Sequence, residues 1–459
     1  MKSESVYIAA CLAVIAGCGP GPLDDDYWPQ ASPLGRDLDA VRVGPDPTAA
    51  PLVPAFVEPS GELTLPAALS AGLLHNPELT SFAWEVRAQE AAVVQAGLYP
   101  NPEVAVEIED FGGTDGFGGF GLSETTIAVG QTILLGGKRD SRRELARLER
   151  DLAGWDYEVA RVDVITQVGI EFVNTLRAQA HVAVARETAA LAEQVFSAID
   201  QRVQAGKVSP VERTKARVDR AQSQLLMMVA EREVVAARYR LAATWGSVAP
   251  GFVAAVGDLF SVSIPPAAQE LFARIEDNPD LARWTTEMAA RQAAVTLAKA
   301  DAVPDITPYG GVQFLDGVDE TAFVAGLAMP IPAFDRNQGA ILEARLRGAQ
   351  GEALRRAAAV RVKTELAIVY QALDAAYLET AILRTEVEPS AESAVAAAEE
   401  AFRQGKIGAL GLLDAQRTLF SIRRKSVDAH ATYHRAVVAI ERLIGGPLHQ
   451  PTRQSGDKP

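Results

Sequence analysis

Cysteine and histidine are scarce in this sequence. Only Cys11, Cys18 and five histidines occur in 459 residues, so cysteine spacing offers no disulfide framework. His430 and His434 lie four residues apart, a metal-ligand spacing, but no cysteine or acidic pair completes a site and we expect packed or solvated side chains. No Ser-His-Asp or Cys-His constellation stands out either. The sequence therefore predicts no catalytic residue, no metal site and no cofactor.

Positive charge is also in short supply. Acidic residues outnumber basic ones, 59 against 44, which gives a formal net charge of -15 and a pI near 5.0. Because phosphate binding needs a basic surface, we expect no nucleic-acid partner, and cations are the more natural cargo. Aromatic residues make up only 6% while hydrophobic residues reach 48%. The apolar content is therefore mostly Ala, Val and Leu, which is typical of long packed helices.

The N-terminus has the features of a secretion signal. Lys2 precedes a short apolar run, 6–15, that is too short to span a membrane. The Ile-Ala-Gly before Cys18 resembles the cleavage box of bacterial lipoproteins. This resemblance implies removal of residues 1–17 as a signal peptide and attachment of lipid to the Cys18 sulfur, and an ordinary buried cysteine is the alternative. Gly19 beside it favours the outer membrane.

The rest of the chain contains two copies of one sequence unit. Asn76-Pro77-Glu78-Leu79 recurs as Asn278-Pro279-Asp280-Leu281, and Gly206-Lys207-Val208 recurs as Gly405-Lys406-Ile407. A proline-rich and aspartate-rich stretch without apolar periodicity precedes the duplication, and we expect a lipid-anchored extended linker there. The predicted organisation is a linker over 18–60, a first repeat over 61–245, an inter-repeat segment over 246–271, a second repeat over 272–446 and a tail over 447–459.

Each repeat is predicted to contain a helix, a strand pair, a very long helix, a turn and a return helix. Asn76 and Asn278 are placed as N-caps, each followed by proline and an acid. The stretch Lys138–Gln204 has no proline and carries a coiled-coil seam. At 1.5 Å per residue, such a helix is roughly 100 Å long. The matching stretch over 338–404 contains Pro389, where we expect a kink.

The long helices are predicted to end in similar turns, over 205–210 and 404–411. Gly206 and Gly405 suit the left-handed position that closes a helix. Ser209 then begins a capping box for the first return helix. Both repeats are therefore expected to form helical hairpins.

Segments of alternating polarity predict β-hairpins over 103–135 and 305–331. From Glu103 to Glu109 the even positions are aliphatic and the odd positions are acidic or small, so one face is apolar and the other is wet. Each run has about 9 to 11 residues, the length of a tilted strand that crosses a bilayer. A soluble amphipathic sheet packed on helices is the alternative, although helical rods offer no obvious second layer to cover it.

Four strands from one chain would leave two unpaired sheet edges. Lipid contains no water to satisfy those edges, so in a membrane the sheet must close. Four strands are too few to enclose a water channel, whereas three copies give a barrel of about twelve strands. The backbone hydrogen-bond requirement therefore predicts a homotrimer in contact with outer-membrane lipid.

The order of elements resembles the TolC-like outer-membrane efflux family, from about Leu63 to Gly446. Four shorter motifs resemble its CzcC-type heavy-metal branch, namely Pro100-Asn101-Pro102-Glu103, Glu107-Ile108-Glu109-Asp110-Phe111-Gly112-Gly113, Ser123-Glu124-Thr125-Thr126 and Leu135-Gly136-Gly137-Lys138-Arg139. The resemblance implies a mainly α fold with a β-barrel part, in which hairpins of three chains form an α-barrel continuous with a 12-stranded transmembrane β-barrel. It also implies a passive export duct of an RND efflux system, which works with a periplasmic adaptor and an inner-membrane RND pump and is not an enzyme.

The resemblance further implies roles for particular residues. The hairpin tips would form the periplasmic entrance and meet the adaptor, which makes docking candidates of Gly206, Lys207, Val208, Ser209, Gly405, Lys406, Ile407 and Gly408. Asp414 matches an acid that rings the constriction in relatives, and three such carboxylates around a narrow axis would attract cations. Glu103, Glu107 and Glu109 would face the barrel lumen. Simple solvation is the alternative for all four acids.

Two other functions remain open. Within transport, the duct could serve multidrug or secretion export instead of heavy-metal efflux. From a different class, the chain could be a periplasmic coiled-coil structural lipoprotein with soluble hairpins. A barrel would require detergent for extraction, whereas a scaffold stripped of its lipid would be soluble.

Overall fold

The structure, a computed structural model, describes residues 28–29, 32–41 and 54–449. Cys18 therefore lies outside the described residues. The elements before residue 260 are β1 (Gly61–Thr64), α1 (Leu65–His75), α2 (Pro77–Ala96), β2 (Glu103–Glu109), β3 (Glu124–Gly130), α3 (Lys138–Gln204), α4 (Pro210–Ala243) and β4 (Phe252–Val256). Those after it are α5 (Ala268–Ala273), α6 (Pro279–Asp301), β5 (Thr307–Leu315), β6 (Glu320–Ala328), α7 (Gln338–Ile382), α8 (Glu388–Arg403) and α9 (Ala409–Ile444).

The same order of elements occurs twice, as α2-β2-β3-α3-α4 and as α6-β5-β6-α7-α8-α9. Asn76 caps α2, because its side-chain oxygen accepts from the Leu79 amide at 2.9 Å. Asn278 caps α6 in the same way, accepting from the Asp280 amide at 2.8 Å. Both helix starts expected from the sequence are thus confirmed.

The second long helix is interrupted where proline was expected to disturb it. A π-helical turn over Leu383–Val387 separates α7 from α8, whose second residue is Pro389. Proline has no N–H to donate to the carbonyl four residues earlier, and its ring crowds the preceding turn. The predicted kink is therefore a widened turn just before the proline, while α3 runs through all 67 of its residues without a break.

The chain divides into two compact units. The strand unit comprises described residues 28–29, 85–154 and 283–355, and it contains an antiparallel sheet of order β2-β3-β5-β6. The helical unit comprises the remaining described residues and contains a small parallel sheet of β1 and β4.

The helical unit has separate apolar cores for the two repeats. Leu73, Leu79, Phe172, Leu241 and Trp245 belong to the core of the first repeat. The core of the second repeat includes buried side chains from α5, α7 and α9, namely Leu271, Leu366, Leu373, Tyr433 and Ile440. A third cluster joins all four hairpin helices, with Val195 and Ile199 on α3, Ala216 on α4, Phe402 on α8 and Leu412 and Leu413 on α9.

Three features differ from the sequence expectations. Helix α1 and strands β1 and β4 were not anticipated. Strands β2 and β3 have seven residues each, fewer than expected, and β2 ends where Asp110 adopts a left-handed backbone with φ of 55°. Residues 32–41 of the expected linker are packed: the Ser32 hydroxyl donates to the Gly445 carbonyl at 2.6 Å, and Arg161 donates to the Leu34 carbonyl at 3.0 Å.

Candidate channel surface and helix tips

The four-stranded sheet has one apolar face. The antiparallel register places Val106, Ile127, Val312 and Phe323 opposite one another across all four strands. Aliphatic and aromatic residues continue this face at Val104, Ile108, Val129, Phe314 and Leu327. The Phe323 side chain is 91% exposed. Nothing in the described chain covers this surface, which leaves a large apolar area open for lipid or another partner.

Acidic residues lie on the opposite face of the sheet. Glu103, Glu107 and Glu109 alternate with the aliphatic residues of β2, as the sequence predicted. The register adds two acids that the sequence did not single out, because Glu109 pairs with Glu124, Glu124 with Leu315, and Leu315 with Glu320. One transverse row therefore carries three carboxylates. Glu124 and Glu320 are each followed by threonine at matching positions of the two repeats. This shared dipeptide was the sequence signal that could have identified these two acids.

The acidic row has an unfavourable arrangement for a purely structural surface. Glu109 and Glu124 are direct cross-strand neighbours, and like charges in that position destabilise a sheet. Gln313 donates to one Glu124 oxygen at 2.7 Å. The four strands contain five glutamates and no lysine or arginine. This face therefore has an uncompensated negative charge that would attract cations and repel anions.

Both edges of the sheet are open within the described chain. Strand β2 pairs only with β3, and β6 pairs only with β5. An unpaired edge presents a row of N–H and C=O groups that need water or another strand. In a bilayer only another strand can satisfy them.

The two hairpin tips have the same backbone geometry. Gly206 and Gly405 adopt φ of 68° and 72°, as predicted for left-handed helix ends. The following amides turn back onto the helix: Lys207 donates to the Arg202 carbonyl and Lys406 to the Ala401 carbonyl, each at 2.8 Å. This pattern satisfies helix-end carbonyls and directs both lysines into solvent.

The return helices begin differently at the two tips. Ser209 caps α4, because its hydroxyl accepts from the Val211 amide at 3.3 Å. Gly408 occupies the N-cap position of α9 and contributes no side chain. Val208 and Ile407 are half-buried at matching positions, whereas the glycines and lysines of both tips are exposed.

Asp414 lies in the second turn of α9 and is exposed. The preceding residues, Leu412 and Leu413, are buried in the cluster that joins the hairpin helices. The helix is therefore fixed by its apolar side while the carboxylate faces solvent. Among the described residues, no ion pair involves Asp414, which leaves its negative charge uncompensated.

Several ion pairs connect α9 to the first hairpin. Arg417 pairs with Asp219 on α4 at 2.6 Å. Further along α9, Arg423 pairs with Glu187 and Asp428 pairs with Arg177, both on α3 and both at 2.6 Å. Burial alone would raise the pKa of Asp428, but hydrogen bonds from Arg177 and His181 hold it below its ordinary value.

The comparisons with known proteins agree with this geometry. The family model described as outer membrane efflux protein matches residues 68–247 and 273–446. The chain belongs to the outer membrane efflux protein family. The cobalt-zinc-cadmium resistance protein CzcC of Cupriavidus metallidurans is 33% identical over 87% of this chain and 94% of its own length.

Two further comparisons support this family assignment. The nickel-cobalt-cadmium resistance protein NccC of Alcaligenes xylosoxydans xylosoxydans is 25% identical over 60% of this chain and 62% of its own length. The solved structure of CusC superposes with a TM-score of 0.71 at 17% identity, over 85% of this chain and 96% of that chain. The fold of this efflux protein is therefore that of known outer-membrane channels.

Membership of the outer membrane efflux protein family decides between the broad alternatives. It assigns the chain to efflux at the outer membrane and argues against a soluble coiled-coil scaffold. The family consists of efflux proteins, so a catalysed reaction is not part of the assignment. The acidic row, both tips and Asp414 all lie within the matched residues, whereas Cys18 does not.

Proposed function

We propose that this protein is a homotrimeric export duct in which three four-stranded sheets close into a transmembrane barrel of about twelve strands. The observation that carries the proposal is the sheet itself, which combines two open edges with one uncovered apolar face. In lipid, that apolar face needs no cover, and neighbouring copies would pair the edges. The acidic face would then line the lumen.

Two helices support the assembly of several copies. By length and composition the helix over Gln338–Arg403 could cross a membrane, yet its most apolar stretch is only 28% buried. Within the helical unit, its exposed large apolar side chains Val360, Ile368, Leu378 and Ile382 fall on one side of the helix. On α4, exposed Val211, Val218 and Leu225 recur at seven-residue spacing. Such stripes are typical of helices that pack against a partner helix.

The cargo that fits best is a heavy-metal cation. Two relatives, CzcC and NccC, are named for resistance to cobalt, cadmium, zinc or nickel and not for drug export. The proposed lumen carries glutamates without any basic residue, which would favour cations over anionic or neutral organic molecules. The chain would supply a passive path, and the energy would come from other components.

Those components would be a periplasmic adaptor and an inner-membrane RND pump. Both hairpin tips present an exposed glycine and lysine on the same backbone turn, which gives an adaptor a repeated docking surface. Asp414, eight residues beyond Lys406, would form the acidic constriction. Lipid on Cys18 would anchor the mature N-terminus in the outer membrane.

The acidic row can be tested by conductance in planar bilayers. Replacement of Glu109, Glu124 and Glu320 by Gln should lower the cation-to-anion permeability ratio about twofold or more, because three carboxylates per chain disappear from the lumen. Reversal potentials in a salt gradient measure this ratio.

A matched control removes three exposed glutamates outside the four-stranded sheet, Glu62, Glu85 and Glu276. It should leave the permeability ratio unchanged. Both triple variants can then be compared for zinc, cobalt and cadmium tolerance in cells that lack the native gene. Equal permeability ratios in the two variants would show that the acidic row does not line the lumen. If the unmodified protein restored drug tolerance but not metal tolerance to these cells, the metal assignment would be overturned.

A further inference from the structure

The segment between β4 and α5 has no regular structure from Gly257 to Pro266, and side chains of α9 hold it. The His434 Nε2 donates to the Leu259 carbonyl at 3.0 Å. The Tyr433 hydroxyl donates to the Ser263 carbonyl at 2.8 Å and accepts from the Ser263 amide at 3.2 Å. One short stretch of α9 therefore carries most of the polar attachment of this inter-repeat segment.

Two more histidines contact the same segment. The His430 ring lies edge-on against Phe260 with centroids 5.0 Å apart. The His449 Nε2 lies 2.8 Å from the Ser263 hydroxyl. Three of the five histidines in the chain thus contact ten residues. Histidine is the side chain that ordinarily titrates between pH 5 and 8.

The segment 257–266, called the inter-repeat wedge below, also packs between two helices of the helical unit. Leu259 is buried against Val173 of α3 and against Val427 and Ala431 of α9. Gly257 lies so close to α3 that a Cβ there would be 3.2 Å from Leu176. Release of the segment would therefore remove packing that joins α3 to α9.

We propose that this inter-repeat wedge is a pH switch: protonation of His434 releases residues 257–266 from α9 and loosens the contact between α3 and α9. Because α9 also carries Asp414, acidification would reach the tip through the same helix. Only that last step rests on the gate proposed above. The release itself depends on neither trimer formation nor cargo.

The electrostatic surroundings support the direction of the switch. Burial lowers the pKa of His434 below its ordinary value of 6.5, and the neighbouring His430 lowers it further. The Leu259 and Ser261 carbonyls and Asp258 oppose this shift without reversing it. The other charged groups beside His430 are Glu187 on α3, Glu388 on α8, Arg423 on α9 and Arg384 in the π-helical turn.

The sign follows from comparing the seated and released segments. His434 has a lowered pKa while the segment is seated and regains about 6.5 when it is released. The seated state is therefore fully favoured above about pH 6.5 and loses stability as pH falls below that value, because the released state binds the proton more tightly.

A spin label at Ser261 can test the proposal in the full-length protein, since Ser261 is exposed and a Ser261→Cys change adds one reactive thiol. The label should be less mobile near pH 8 and gain mobility as the pH falls from about 6.5 towards 5. His434→Gln keeps an N–H donor but cannot titrate, so it should abolish this transition. His75→Gln, which removes a histidine that does not contact the segment, should retain it.

Two results would overturn the switch. One is a label whose mobility is the same near pH 8 and near pH 5 in the unmodified background. The other is an undiminished transition in the His434→Gln variant. In the His434→Gln variant, the label could already be mobile near pH 8 because the segment no longer packs on α9. In that case His430→Gln is the deciding variant. It should reduce the change in label mobility between pH 8 and pH 5, and an unchanged response would refute the proposal.

Discussion

At the scale of single residues, two asparagines each perform two tasks. The side-chain oxygen of Asn76 or Asn278 caps a helix, while the amide nitrogen donates to the end of the last helix of the same repeat. These bonds reach the Thr244 carbonyl at 2.8 Å and the Leu443 carbonyl at 2.9 Å. Each asparagine therefore fastens the start of a repeat to its end.

Replacement of Asn278 by alanine should destabilise the helical unit by about 2–3 kcal/mol, because it removes an N-cap and leaves a buried carbonyl without its donor. Asn278→Ser keeps a capping oxygen, loses the amide donor and adds no buried charge, so its effect should be smaller. Thermal melting followed by circular dichroism measures both changes. Asn101→Ala, in an exposed loop, is the control, and a melting temperature equal to that control would contradict the dual role.

The residue scale also shows what local sequence can reveal. Both asparagine caps and both left-handed glycines were predictable, because caps and helix ends depend on a few neighbouring residues. The dual role of Asn278 was not, since its second partner is 165 positions away. Glu124 and Glu320 join Glu109 only through strand register, which pattern within one strand does not determine.

At the scale of elements, the Asp219–Arg417 pair joins the return helices of the two hairpins close to Asp414. Arg417→Ala should raise the time-averaged conductance of the purified channel about twofold to tenfold, because α9 would separate more readily from α4 and the channel would open more often. Single-channel recording provides the measurement. Exchange of the two charges in an Asp219→Arg, Arg417→Asp double variant should restore the closed state.

Arg403→Ala serves as the control for lost charge. Within the part of the chain that the structure describes, Arg403 pairs with Glu400 inside α8 at 2.7 Å and with no second helix, so its loss should leave conductance near the unmodified value. If both arginine variants conduct alike, the ion pair between the hairpins does not restrain opening.

Element boundaries were most predictable where the sequence is long and uniform. The limits of α3 follow from a proline-free seam between two glycine-containing turns. In contrast, β1 and β4 have only four and five residues, and their pairing joins residues about 190 positions apart. Gln179 also completes β4, with its side-chain amide bonding both the N–H and the C=O of Ala255 at 2.8 Å. Strands this short do not contain an alternating pattern of polar and apolar residues from which they could be predicted.

At the scale of the whole molecule, the proposed barrel can be tested with two adjacent residues of β6. Phe323 lies on the apolar face and Ala322 on the acidic face. Phe323→Arg should destabilise the membrane-inserted trimer by about 2–4 kcal/mol, because arginine would face lipid. Ala322→Arg should instead fold and reduce cation conductance.

Urea unfolding from lipid vesicles and the trimer band on a semi-native gel measure stability, and bilayer recording measures conductance. Equal tolerance of arginine at both positions would show that neither face meets lipid. A single-copy mass for the unmodified protein in detergent would contradict the trimer directly.

The two open edges of the sheet also have a genetic consequence. If every pore needs intact edge strands from three subunits, a chain with a damaged β2 or β6 would inactivate trimers that also contain normal chains. With equal synthesis and random mixing, about one complex in eight would be wholly normal. Edge-strand alleles should therefore be dominant, whereas alleles that prevent secretion of the chain should be recessive.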